Sequence, residues 1–328
     1  MAEQQRIWLQ RLLINGNLIN NDAIISSAYI EYMDTSGPLL TLELRDGFSV
    51  IRDDYKLLSG AQIECEFSDV QGVDPVIFKE VFTAGKPSVN GEVIKVDAFS
   101  KPCHEIKQPA TRPRFFTNKT PAFILAELFP GLKVQSDFPQ QGTYHLNVGQ
   151  NASSLIFSMQ RDYGACAFVC RGTVYFLSLK NVMQAKPVFT AGRNQGRVDI
   201  NIAQSKAIDN KAVYDRLLRR QWHCFDRFGQ QHNSKTNEKS PSVVIASIPP
   251  AQLNNQSLHM MPVLEMTCFG VGQLMPSLVF ELDVVKVDPL GERDHSIPQR
   301  LAIMRICHFS QGVEGYLNKI ELGILNGQ

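Results

Sequence analysis

The sequence predicts a mainly β protein with an α+β segment in its middle, and three observations carry that expectation. Short apolar runs alternate with period two through the first hundred residues or so and again after Asn181. Between them, two stretches switch to helical spacing and stop at Gly164 or at Pro130-Gly131. At 328 residues the chain is also too long for one small core, and at roughly 100–200 residues per domain it should hold two or three.

The first β part is read as follows. In "GPLLTLELRDG", Leu40, Leu42 and Leu44 share one face and Thr41, Glu43 and Arg45 the other, with Gly37-Pro38 and Asp46-Gly47 as ends. "AQIECEF" repeats the pattern with Ile63, Cys65 and Phe67 inward, so Cys65 belongs to the core. "PVIFKEVFTAG" and "GEVIKVDAFS" add strands at the 8–12-residue spacing of a sandwich or barrel. The three prolines of "KPCHEIKQPATRPRFF" then mark a linker.

In "NKTPAFILAELFPGL", Thr120 is placed to cap a helix with Pro121 in its first turn. "NASSLIFSMQRDYG" gives a second helix capped by Asn151 or Ser153, with Leu155, Ile156, Met159 and Tyr163 on one stripe and Gly164 as its stop. Ala165–Cys170 and Thr173–Leu179 follow as a hairpin turned by Arg171-Gly172.

Alternation returns in "RVDINIAQ", "PSLVFELDVVKVD", "RLAIMRICHF" and "YLNKIELGIL". In the last, Leu317, Ile320, Leu322 and Ile324 make the apolar side, with a slip in parity that suggests a bulge. "DNKAVYDRLLRRQWHCFD" is read as strand, and the polar stretch around 230–241 as an exposed or mobile loop. The resulting units are 1–103, 104–190 and 191–328. No repeat of short fixed period is present.

Composition excludes whole classes of function. Thirty-three Lys plus Arg against 32 Asp plus Glu leave a net charge of +1, so no global field draws the chain to nucleic acid or an anionic membrane. The N-terminus shows no export signal, and no run approaches a membrane span. Seven cysteines, an odd number set mostly in apolar runs, read as reduced, buried thiols of a chain assembled in a reducing cytosol.

Candidate chemistry is sparse. Cys166 and Cys170 lie on the same face of a strand, but zinc would need a second pair of ligands. His223 and Cys224 are adjacent and face opposite ways, and Cys268 and Cys307 are isolated, so buried thiols are expected. "HEIKQ" at His104 starts like a zinc-protease motif but has Gln108 where the second His belongs, and Pro109 follows. "GVGQLMP" is a lone G-x-G without a strand-to-helix unit. Asp53-Asp54 and Glu64/Glu66 read as solvated surface. The one dense basic cluster, Arg216, Arg219 and Arg220 beside Trp222, suits an acidic patch on a protein partner better than nucleic acid. No catalytic, cofactor-binding or metal residue is assigned, and no cofactor is expected.

Several segments, in order, nevertheless resemble one family. They are "GPLLTLELRDGFSVIRDDYKLLSGAQIECEF", the helix and hairpin "SLIFSMQRDYGACAFVCRGTVYFL", "LMPSLVFEL", and "RLAIMRICHFSQGVEGYLNKIELGIL", in which a His-containing strand leads through a Gly-containing turn to a Tyr and a last strand. This order is similar to that of the baseplate hub proteins of contractile phage tails, including the late-control D proteins of temperate phages and the hub portion of type VI secretion spike proteins.

The resemblance implies two tail-tube-like β-barrel domains flanking a small α+β insert. It implies a non-enzymatic structural protein of the virion tail baseplate, assembled in the host cytoplasm, whose homotrimer forms a pseudo-six-fold ring. Such a ring is a symmetry adaptor between a six-fold tail tube and a three-fold spike. The implied partners are the tail tube and tail spike proteins, with tape measure and baseplate wedge proteins as further candidates. DNA would pass through the lumen without specific binding. Two other readings compete: a tail-associated cell-wall hydrolase, motivated by scattered acids and His104-Glu105, and a tail-tip host-binding module, motivated by the β-rich flanks.

Overall fold

The computed structural model describes residues 6–69, 78–193, 198–209, 220–226, 228–234, 240–245, 250–283, 298–312 and 315–326. The first part contributes strands β1 (Trp8–Ile14), β2 (Asn17–Leu18), β3 (Ile24–Tyr32), β4 (Leu39–Arg45), β5 (Gln62–Ser68), β6 (Phe78–Ala84), β7 (Ser88–Asn90) and β8 (Val93–Ser100). Six of them form an antiparallel run in the order β1-β5-β6-β8-β4-β3. The period-two pattern is the cause: Leu40, Leu42, Leu44, Ile63, Cys65, Phe67, Ile94 and Val96 all face one buried cluster.

The middle part holds helices α1 (Lys101–Glu105), α2 (Pro121–Leu128), α3 (Ala152–Tyr163) and α4 (Leu179–Gln184), with strands β9 (Arg114–Lys119), β10 (Lys133–Ser136), β11 (Gly142–Leu146), β12 (Ala165–Cys170) and β13 (Thr173–Ser178). The Thr120 hydroxyl accepts a hydrogen bond from the Phe123 amide at 3.3 Å and Pro121 opens α2, as the cap chemistry predicts. Gly164 ends α3 in the left-handed conformation at φ +62°. Arg171 and Gly172 both have positive φ, 47° and 76°, the pattern of a type I′ hairpin turn between β12 and β13.

Every residue of β12 is buried, because the strand has a core on each side. Ala165, Ala167 and Val169 pack with α2 and α3, whereas Cys166, Phe168 and Cys170 join Leu179 and Val182 of α4 and Met33, Val279, Ala302 and Leu325 from the flanking parts.

The last part supplies β14 (Phe189–Gly192), β15 (Ile200–Ala207), β16 (Gln221–Phe225), β17 (Gln231–Asn233), β18 (Ser242–Val244), β19 (Met260–Phe269), β20 (Val279–Asp283), β21 (Arg300–Gln311) and β22 (Gly315–Leu325). Six of these close into a barrel, β21-β20-β14-β15-β19-β22 and back to β21. Strands β16–β18 form a separate small sheet.

The long strand β21 joins the first run to the barrel within one continuous sheet. Arg300–Ala302 pair with β20 inside the barrel, and Arg305–Gln311 pair with β3 of the first sheet. The far end of the first sheet returns to the same place: the Ile7 amide, just before β1, donates to the Tyr316 hydroxyl of β22 at 3.3 Å, and the Trp8 and Tyr316 rings lie 5.1 Å apart.

Three sequence expectations are corrected. The stretch expected as a linker, 101–116, begins with α1 and ends in β9, because Cys103, Ile106 and Phe116 pack into the middle core. In β22 the inward set is Tyr316, Asn318, Ile320 and Leu322, all even; Leu317 lies on the other face, and Asn318 is fully buried in its place. The register shifts lie opposite, at Pro262/Leu264 in β19 and Ile303/Arg305 in β21. The loop expected at 230–241 contains β17, and its residues 235–239 lie outside the described ones. So do residues 210–219 of the segment read as strand, while Gln221–Phe225 is strand. No described helix is long and apolar enough to cross a membrane.

Candidate functional site

A buried polar network occupies the point where the three parts meet. Its anion is Glu31 of β3, fully buried. Arg171, at the β12–β13 turn, grips it with two donors: Nε to Oε1 at 3.2 Å and Nη2 to Oε2 at 3.0 Å. Arg171 is the first residue of the turn, at φ 47°, and from there its side chain reaches Glu31 of β3. Oε1 also accepts from the Tyr29 hydroxyl at 3.2 Å and the Cys170 thiol at 2.9 Å. Arg171 further donates to the Leu274 carbonyl at 2.8 Å and stands 5.4 Å over the Phe78 ring.

The third part enters through His308 of β21. Its Nδ1 lies 2.8 Å from the Tyr316 hydroxyl and 2.9 Å from Asn318 Nδ2. Asn318 Oδ1 accepts from the Val271 amide at 2.6 Å, so its Nδ2 is the donor and His308 Nδ1 the acceptor. The proton of the neutral ring then sits on Nε2, which faces Glu31 Oε2 at 3.4 Å. Burial depresses His308 against the opposing pull of Glu31, which agrees with a neutral ring.

Electrostatics divides two neighbouring acids. Burial alone would raise the Glu31 carboxyl, but the Arg171 charge and the His308 hydrogen bond outweigh it and hold Glu31 well below the ordinary range. Glu80 of β6 has no such cation of its own. Burial, opposed by the contact with Tyr29 and helped by the Glu31 charge, pushes it up to about 8. Its Oε2 is buried without a hydrogen-bond partner, which a protonated carboxyl tolerates better than a charged one.

The network can therefore fix geometry: one carboxylate is satisfied at once from β3, the β12–β13 turn and β21. Arg171, Leu274, His308 and Asn318 all lie in segments that carry the family resemblance, though none was assigned a role there, whereas Glu31 lies outside those segments. For Glu31 and Asn318 a signal was present in the alternation. Glu31 falls on the inward parity of β3 with Ser27 and Tyr29, and Asn318 on that of β22. A charged or amide side chain on the apolar parity of a strand implies a buried partner.

The other singled-out residues lie elsewhere. Cys166 and Cys170 face the same buried cluster, and no disulfide forms among the described residues. His104 lies in the last turn of α1, where its Nε2 contacts Gln108 Nε2 at 3.2 Å. Glu66 pairs on the surface with Lys79 at 2.6 Å and Arg11 at 3.4 Å, and Asp53 with Arg52 at 2.8 Å. "GVGQLMP" is the loop whose Val271 amide and Leu274 carbonyl close the network. Arg216 and Arg219 lie outside the described residues.

No protein-family model matches the chain, and no curated protein matches it. Solved structures do. A tail protein from Neisseria meningitidis MC58 superposes with a TM-score of 0.63 at 13% identity, covering 98% of this chain and 96% of its own. The 43 kDa tail protein of prophage MuSo2 from Shewanella oneidensis gives 0.62 at 10% identity, with 97% and 98% covered. An E. coli component of the type VI secretion system, described as structurally similar to the T4 bacteriophage tail proteins gp27 and gp5, gives 0.51 at 9% identity over 99% of this chain and 78% of that one. Identities this low speak to architecture, and the architecture is matched over nearly the whole chain: it has the mainly β fold of these phage tail proteins and of the type VI secretion component.

Proposed function

We propose that the chain is the structural hub of a contractile tail baseplate or a related injection machine, a non-enzymatic homotrimer that adapts a six-fold tail tube to a three-fold spike. The observation that carries the reading is β21: this strand of the six-stranded barrel also pairs with β3, at the edge of the first six-stranded run, in a single chain whose fold neighbours are tail proteins. Three such chains would present six similar β units to a tube and three identical faces to a spike, so both closed interfaces are satisfied. The three units are 1–103, 104–190 and 191–328, each centred on a core of its own. On this reading the buried network is the fastener that keeps the two β units at one fixed angle, which a ring requires. The partners are the tube and spike proteins, with tape measure and wedge proteins in contact, and the location is the virion tail after assembly in the host cytoplasm.

Co-expression with the tube and spike proteins of the same machine, followed by electron cryomicroscopy, tests this. The expected particle has three copies of the chain in a six-lobed ring between tube and spike. Absence of a complex with either protein, or a ring of any other copy number, would sink the reading.

A further inference from the structure

A half-open cleft lies at the seam of the three parts, away from the Glu31 network. It has a volume of about 260 Å³ and is lined by Met33 from the end of β3, Phe157 and Arg161 of α3, Leu258, and Met260 and Met304 of the barrel, among others. This is slightly below the ~300–1,000 Å³ of drug-sized sites, so an occupant is short. Three methionines give walls that adjust to an aliphatic chain.

The polar feature of the cleft is Arg161. Its guanidinium lies 4.8 Å over the Trp222 ring and 6.0 Å from that of Phe157, and it has no carboxylate partner among the described residues. Trp222 is itself fixed, since its indole Nε1 donates to the Ser257 hydroxyl at 2.9 Å. The cation is thus held in place by ring faces, which leaves its planar donors for another group. The Asp34 carboxylate is also in the lining and accepts from the Ser36 amide at 2.7 Å. His259, also in the lining, is depressed by burial and by the Arg161 charge, and so adds a neutral ring.

We propose that this cleft binds a short aliphatic carboxylate, with the chain among Met33, Met260 and Met304 and the carboxylate on Arg161. The same chemistry is offered by a free acyl carboxylate and by the apolar C-terminal residue of a peptide. The inference does not rest on the hub reading.

Methionine methyl NMR on the intact protein labelled at Met ε-¹³C tests it without altering the cleft. Of nine methionines, Met33, Met260 and Met304 should shift saturably on titration with hexanoate, while hexanol and hexylamine bind at least ten-fold more weakly. Arg161→Met, which keeps an apolar stem, should weaken hexanoate about ten-fold or more and leave hexanol unchanged. Acetyl-Ala-Leu with a free carboxylate, compared with its C-terminal amide and with hexanoate, identifies which source fits better. Equal binding of hexanol and hexanoate, or no saturable shift of the three methyls, overturns the proposal.

Discussion

Arg171 and Glu31, 140 residues apart in the chain, form a two-point ion pair with contacts of 3.2 and 3.0 Å, the carboxylate fully buried and the guanidinium mostly so. Neither charge can be left alone there, since burying an unpaired ion costs several kcal/mol. The pair therefore couples the hairpin of the middle part to the first sheet.

Removing one partner should cost more than removing both. Arg171→Met alone should destabilise the chain by about 3–5 kcal/mol, because it strands Glu31, and the double variant with Glu31→Gln should recover a large part of that loss. Denaturant unfolding of the four proteins in a double-mutant cycle measures this. A double variant as damaged as the sum of the singles would show the two residues acting independently.

The two acids should give opposite pH signatures. Glu31, held low, contributes stability that is complete above the ordinary carboxylate pKa of about 4.5 and is lost as pH falls toward 2. Glu80, raised to about 8, favours the folded chain while protonated. That contribution is present below about 4.5 and fades as pH climbs to 8, by up to about 1.4 kcal/mol per pH unit. Glu80→Gln should therefore raise the melting temperature more at pH 8 than at pH 5. Equal shifts at both pH values would mean that Glu80 is charged throughout.

Gly164 should resist substitution. Its φ is +62°, and an added Cβ would lie 2.9 Å from Leu258 Cδ1. Gly164→Val demands a left-handed conformation that costs an L residue about 1–2 kcal/mol, and the contact adds to it. Thermal melting should fall by several degrees, whereas Gly172→Asn, at a turn where nothing lies within 4 Å of the added Cβ, should be tolerated.

Thiol reactivity should separate one cysteine from the rest. Cys307 is partly accessible, while the other six are buried. Burial also pushes the Cys65, Cys103, Cys166, Cys170 and Cys268 thiols up, so little nucleophilic thiolate forms. A thiol reagent under native conditions should label Cys307 first and the others only on unfolding. Cys170→Val should cost roughly 1 kcal/mol through the lost donor to Glu31, and Cys166→Val less. Fast native labelling of Cys166 or Cys170 would contradict the double-sided burial of β12.

Much of this fold is written in local patterns. The alternation of Leu40, Leu42 and Leu44, the Thr120-Pro121 start of α2, the Gly164 stop and the Arg171-Gly172 turn each depend on neighbours within a few residues. They are legible because strand parity, capping and positive φ are short-range constraints. The linker expectation failed where that logic fails: prolines mark the chain's direction but do not reveal that Cys103, Ile106 and Phe116 have a core to enter.

By itself, then, the sequence determined the order of β, α+β and β parts, the faces of most strands and the geometry of the β12 hairpin. Only the tertiary structure decided that β21 joins the first run to the barrel, that Asn318 rather than Leu317 faces inward, and that Glu31, Arg171 and His308 converge. The physical reason is separation along the chain. Parity and capping are settled within a turn or a strand, whereas a buried charge finds its partner 140 residues away, where only the packing of whole sheets can place it.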